Sequence, residues 1–195
     1  MSLFTLYTVP PLLSSIVFLF LGGPVFLNNR KSSINITFAL VCFVTFWWQF
    51  SWFILFNTQS ESLANFLVKF GHIGIIFIPI FFFHFFLSFL RNVSKFDKYL
   101  LYFAYCSGLI FELLLPTNYF INGFYKYFWG FYPKAGILHP VYLFFTYHFG
   151  CTQPLFANFF ISGKEKIDIY CSKASNKIFS NSFNFLYFCL VGLFS

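Results

Sequence analysis

Five apolar stretches, each about as long as a helical crossing of a bilayer, fill most of the chain up to position 160: residues 3–27, 34–56, 67–90, 99–115 and 140–160. A hydrocarbon core of about 30 Å takes roughly 20 helical residues, so each stretch reads as a transmembrane helix. A sixth, 178–194, is interrupted by Asn181, Ser182 and Asn184 and is only marginally long enough. The expected fold is all-α, a polytopic transmembrane helical bundle of five spans plus this weaker sixth. Composition agrees: 9% of residues are charged and 59% apolar, where a soluble domain carries about 25% charged residues.

The same scarcity of charge removes whole classes of function. Five acidic residues leave little for metal cages or paired-carboxylate chemistry. The twelve Lys and Arg lie scattered between apolar runs rather than on one face, which excludes a nucleic-acid surface. Cysteines 42, 106, 151, 171 and 189 show no CxxC spacing, so neither a zinc site nor a disulfide framework is encoded. Neither a metal nor a cofactor is expected.

Cations instead report orientation. Arg30 and Lys31 follow the first span, Arg91, Lys95 and Lys98 the third, and Lys164, Lys166, Lys173 and Lys177 the fifth; the remaining connections hold Lys69, Lys126 and Lys134. The positive-inside rule then puts the N-terminus outside and the odd-numbered loops in the cytoplasm. The sequons at Asn35 and Asn92 fall on the cytoplasmic side and are chance matches. The N-terminus lacks a basic n-region, and its first apolar run is too long for a signal-peptide core, so that helix is expected to be retained.

The longest outer connection, 116–138, reads PTNYFINGFYKYFWGFYPKAGIL. Its aromatic rings and Gly, Pro and Asn turn formers suit the membrane interface, where Trp and Tyr place an apolar ring in lipid and a polar group in water.

Three segments together resemble the N-terminal seven-transmembrane region of bacterial sensor histidine kinases. They are NNRKSSINITFALVCFVTFWWQFSWFIL at 28–55, GHIGIIFIPIFFFHFFLSF at 71–89 and YFWGFYPKAGILHPVYLFF at 127–145. Order and spacing match over roughly 10–147. The resemblance implies a membrane-embedded sensory input half, residues 1–160, whose output is a cytoplasmic signalling module, and a homodimer. Beyond about Tyr147 the pattern fades, and 161–195 reads as a divergent, truncated or frameshifted tail without a seventh span. No phosphoacceptor histidine is present: His72, His84, His139 and His148 precede Ile73, Phe85, Pro140 and Phe149 within or beside spans. With no ATP-binding box either, no catalytic residue is assigned and the chain is not expected to be an enzyme.

Ligand-contact candidates are few. Trp129, Tyr132 and Lys134 cluster aromatic faces and a cation around Pro133 on the outer side, where an aromatic belt with a reentrant turn is the plainer alternative. His84 sits one turn before Ser88, so both share one side of the third helix; it is either a ligand contact or a hydrogen-bonded core residue. Glu112, near the outer end of the fourth span, either reaches interfacial water or pairs with Lys126 or Lys134. Gln49 and Ser51 suit helix-to-helix hydrogen bonding, and Gly71 with Gly74 suits close packing. Pro79 should kink the third helix and free backbone carbonyls.

The expected protein is a multi-pass component of a bacterial cytoplasmic membrane, a sensory region working with a cytoplasmic signalling partner or a missing C-terminal kinase. Its partners are the lipid bilayer and a second copy of itself, without nucleic acid. The rivals are a small transporter or channel subunit using His84, Glu112 or Gln49, and a non-functional remnant. Orientation is testable directly: reporter fusions within 91–98 should score as cytoplasmic and those within 116–138 as external, and the reverse pattern overturns the assignment.

Overall fold

The computed structural model describes residues 6–90 and 93–149. All lie within the first of two compact units, Met1–Phe156; the second, Ala157–Ser195, falls outside the described residues. So do the weak sixth span and the distal part of the fifth. Five helices and one β-hairpin follow in the order α1 (Val9–Asn28), α2 (Ser33–Asn57), α3 (Glu61–Ser88), α4 (Lys95–Leu114), β1 (Ile121–Tyr127), β2 (Gly130–Ala135) and α5 (His139–Tyr147). The first three helices are long and apolar enough to cross a membrane.

Local chemistry sets the helix starts, and in places it shifts them from the apolar runs. α1 opens on Val9 with Pro10 and Pro11 in its first turn, where a missing N–H costs nothing. α3 begins at Glu61, six residues ahead of its apolar run, because the Ser60 hydroxyl caps it by accepting from the Leu63 N–H and Glu61 complements the helix dipole. Lys69, expected in a connection, therefore lies inside α3. α4 begins at Lys95 through a capping box in which the Ser94 hydroxyl accepts from the Asp97 N–H and the Asp97 carboxylate accepts from the Ser94 N–H.

α2 and α3 form the core pair. A Cβ on Gly74 would stand 2.6 Å from the Val44 carbonyl oxygen, and one on Gly71 would collide with the Trp52 ring. The two glycines thus let the backbones approach as small-residue helix contacts do. The Trp47 indole N–H donates to the Phe70 carbonyl at 2.9 Å across the same interface. Ser51, by contrast, donates to Trp47 of its own helix, so it does not join α2 to a neighbour. α4 buries only Ala104 and Gly108 and leaves Phe103, Leu109, Ile110 and Leu113 exposed, a surface suited to lipid.

One expectation is corrected. The chain is mostly helical but not all-α, since 121–135 pairs as an antiparallel hairpin. The aromatic residues there satisfy strand preferences as well as interfacial ones. Pro79 lies inside α3, which runs continuously from Glu61 to Ser88. A proline ring has no N–H for the carbonyl four residues earlier, which is that of Ile75. The fully buried Tyr142 hydroxyl donates to that carbonyl at 2.9 Å, so α5 docks on the acceptor that proline leaves open.

This exchange yields a double-mutant test. Tyr142→Phe should destabilise the folded protein by about 1–3 kcal/mol, the cost of an orphaned buried carbonyl. In a Pro79→Ala background, where the substituted residue supplies the N–H, the same change should cost markedly less in thermal or denaturant unfolding. Equal losses in both backgrounds would show that the hydroxyl acts elsewhere.

Candidate functional site

Around the N-terminal end of α3, the hairpin gathers the exposed aromatic residues into one surface. Its two central turn residues, Phe128 and Trp129, keep negative φ, and the positive φ falls on Gly130 (142°). Gly130 also lies against the end of α2, where an added Cβ would stand 3.0 Å from the Phe56 Cα. Asn122-Gly123 reads as a hairpin turn by composition. Here it forms the irregularity between Ile121 and Phe124, with Gly123 at φ 81°, as an inserted residue in a bulge does.

Strand alternation separates two faces. Phe124 and Phe131 meet edge to face at 4.9 Å on the inner one. Lys126 shares it, lying 5.6 Å over the Phe131 ring and pairing with Glu61 at 3.4 Å. That pair is exposed on both sides and adds little stability, but it registers the hairpin tip against the first turn of α3. At the base, Phe120 is fully buried against Tyr142, Phe111, His139 and His72. The Gly136 and Leu138 N–H groups close the base by donating to the Phe120 and Tyr119 carbonyls.

The outer face carries Tyr125, Tyr127, Tyr132 and Lys134. Trp129 is half-buried at its centre, stacked on Tyr127 at 5.1 Å and 6° between planes, with Phe56 edge-on at 5.2 Å, Tyr7 at 5.7 Å and Tyr132 at 6.0 Å. It fixes the hairpin to the N-terminal end of α1 and the C-terminal end of α2. Lys134 lies 5.7 Å over the Tyr125 ring. Phe128, at the tip, is 88% exposed.

Trp129, Tyr132 and Lys134 therefore share one small element, while His84 and Glu112 stand apart from it. His84 lies near the other end of α3, its Nδ1 2.8 Å from the Tyr105 hydroxyl of α4. It belongs to a polar seam: Ser88 donates to the His84 carbonyl at 3.0 Å, and Thr37 of α2 donates to the Ser88 hydroxyl at 3.3 Å. Of the two readings of Glu112, the pairing with Lys126 or Lys134 is not formed. Lys126 goes to Glu61 and Lys134 to Tyr125, and Glu112 Oε2 is buried without a hydrogen-bond partner. Among the described residues no three His, Cys, Asp or Glu side chains group to hold a metal.

Tyr7, Phe56, Tyr125, Tyr127 and Glu61 complete the site but were not singled out by sequence. Tyr125 and Tyr127 carried a usable signal, the period-two alternation of FYKY leading into a Trp-Gly turn. Tyr7, Phe56 and Glu61 reach the site only through the packing of other elements.

Neither curated proteins nor solved structures provide a match to the chain. The family model for the N-terminal seven-transmembrane region of histidine kinases matches residues 10–165, which carries the likeness beyond position 147. With most of its length matched, the chain belongs to the family of N-terminal seven-transmembrane regions of histidine kinases.

Proposed function

We propose that this protein is the sensory input region of a bacterial signalling protein of histidine kinase type, lying as a multi-pass bundle in the cytoplasmic membrane with its N-terminus outside. The family match over 10–165 is the observation that carries this reading. In it, residues 1–160 form the sensory region and 161–195 a divergent tail, and five spans are followed by the weaker sixth. Output then passes to a cytoplasmic partner or to a C-terminal kinase, and the chain works as a homodimer.

The mechanism is a change of packing. A stimulus on the outer side shifts a two-arrangement equilibrium only by its differential affinity for the two arrangements. The hairpin is suited to receive it, because Trp129 and Gly130 rest on α2 while Phe120 wedges among α3, α4 and α5. At the far end, the seam from Thr37 through Ser88 to His84 and Tyr105 links α2, α3 and α4. Trp129, Tyr132 and Lys134 act at the receiving end and His84 at the transmitting end.

The transporter reading draws on one observation, the partnerless buried oxygen of Glu112. Proteoliposomes separate the two. Vesicles holding the purified chain should pass protons, potassium and small solutes no faster than protein-free vesicles, with Glu112→Gln making no difference. Flux above that background, abolished by Glu112→Gln, would replace the sensory reading by the transporter one. Sequencing the locus through and beyond Ser195 in all frames then locates the output module in cis or leaves it to be supplied in trans.

A further inference from the structure

The length of α3 fixes the height of the hairpin. At 1.5 Å per residue its 28 residues span about 42 Å, roughly 12 Å more than a hydrocarbon core requires. The ends show where the excess lies. Near one, the Ser33 and Ser88 hydroxyls meet at 3.3 Å; toward the other, the Lys69 ammonium donates to the Pro116 carbonyl just past the end of α4 at 2.7 Å. From Ser88 to Lys69 is about 29 Å of helix, one hydrocarbon thickness. Glu61 then stands about 12 Å above Lys69, and the hairpin runs from a base against His72, about 4–5 Å below Lys69, to a tip beside Glu61 and Phe56. Headgroup layers are about 5–8 Å deep on each side, so the hairpin's outer face rises through that layer.

Charge on this element is one-sided. The connection 116–138 contains Lys126 and Lys134 and no acid. Lys126 is neutralised by Glu61, whereas Lys134 forms no ion pair among the described residues and is held over Tyr125. On the same face Tyr125, Tyr127 and Tyr132 are each close to half exposed. Rings with hydroxyls beside such a cation suit lipid, with the apolar ring against the upper acyl chains and the ammonium at phosphate depth.

We propose that the outer face of the hairpin is a docking surface for anionic phospholipid in the leaflet on its own side of the membrane, with Lys134, near the hairpin base, meeting the headgroup phosphate and the Tyr125 and Tyr132 rings beside it lying against the lipid. Lipid docking requires only that α2 and α3 cross the bilayer; it is independent of which compartment the hairpin faces and of any signalling role.

The test uses the full chain with its five native cysteines replaced by alanine, a single cysteine carrying bimane at position 132 or 43, and vesicles containing nitroxide-labelled phosphatidylglycerol or phosphatidylcholine. Position 43, exposed along α2, reports the span itself. Quenching is expected at both positions. At 132 phosphatidylglycerol should be preferred about fivefold, as one lysine at an anionic surface implies. That preference should vanish in Lys134→Gln and survive in Lys134→Arg. Quenching at 43 without quenching at 132 overturns the lipid surface while leaving the span intact; no quenching at 43 overturns the crossing on which it rests. A preference unchanged in Lys134→Gln removes the assigned contact. Protection at 132 that grows with protein-to-lipid ratio instead of lipid identity replaces lipid by a second copy of the chain.

Discussion

A proline inside a buried helix creates an acceptor that the helix cannot satisfy, and the arrangement of the described residues turns on how that acceptor is used. Pro79 opens the Ile75 carbonyl, and the Tyr142 hydroxyl closes it. Because a bare carbonyl in an apolar medium is costly, this one bond selects both the height and the face at which α5 meets α3. Tyr142 in turn positions Phe120, and Phe120 sets the base of the hairpin. The connection from α4 through the hairpin to α5 is thus tied to α3 at this carbonyl as well as at Lys69 and Glu61.

The two ends of the bundle are held by different chemistry. Toward the N-terminal end of α3, rings and one exposed ion pair register the hairpin against α1, α2 and α3. Toward its C-terminal end, hydroxyls and an imidazole join α2, α3 and α4, while the Asn35 amide donates to the Val25 carbonyl of α1 at 2.9 Å. Between these ends α2 and α3 meet closely, Gly74 against the Val44 carbonyl and Gly71 against the Trp52 ring. Polar links at the ends and close apolar contact in the middle fit a bundle in lipid, where every buried polar group needs an internal partner.

Features governed by short-range rules were legible in the sequence. The helical stretches followed from apolar length, the close approach at Gly71 and Gly74 from small-residue spacing, and the freed carbonyl from Pro79. Tyr142, which answers that carbonyl, lies 67 residues beyond Ile75, and no local pattern pairs the two. The hairpin was hidden because Tyr, Phe and Trp at 124–132 serve a strand and a membrane interface equally well. Of the candidate site, Trp129, Tyr132 and Lys134 were found together, while Lys126 and Lys134 were weighed only as possible partners of Glu112. Glu61 lay ahead of the apolar run that marked its helix, so it was not seen as the partner of Lys126.

The small interface of α4 has a mechanical consequence. α2 and α3 meet backbone to backbone, and sliding one past the other would drive Gly74 against the Val44 carbonyl. α4 meets α3 at Gly108, where the Ile80 side chain fills the space a Cβ would take, and through the His84–Tyr105 bond. Moving α4 along α3 must therefore lift Ile80 out of that notch and break the imidazole–phenol bond. A helix that buries so few residues is thus held in register by one notch and one polar link, between the hairpin at one end and the Ser94 cap at the other.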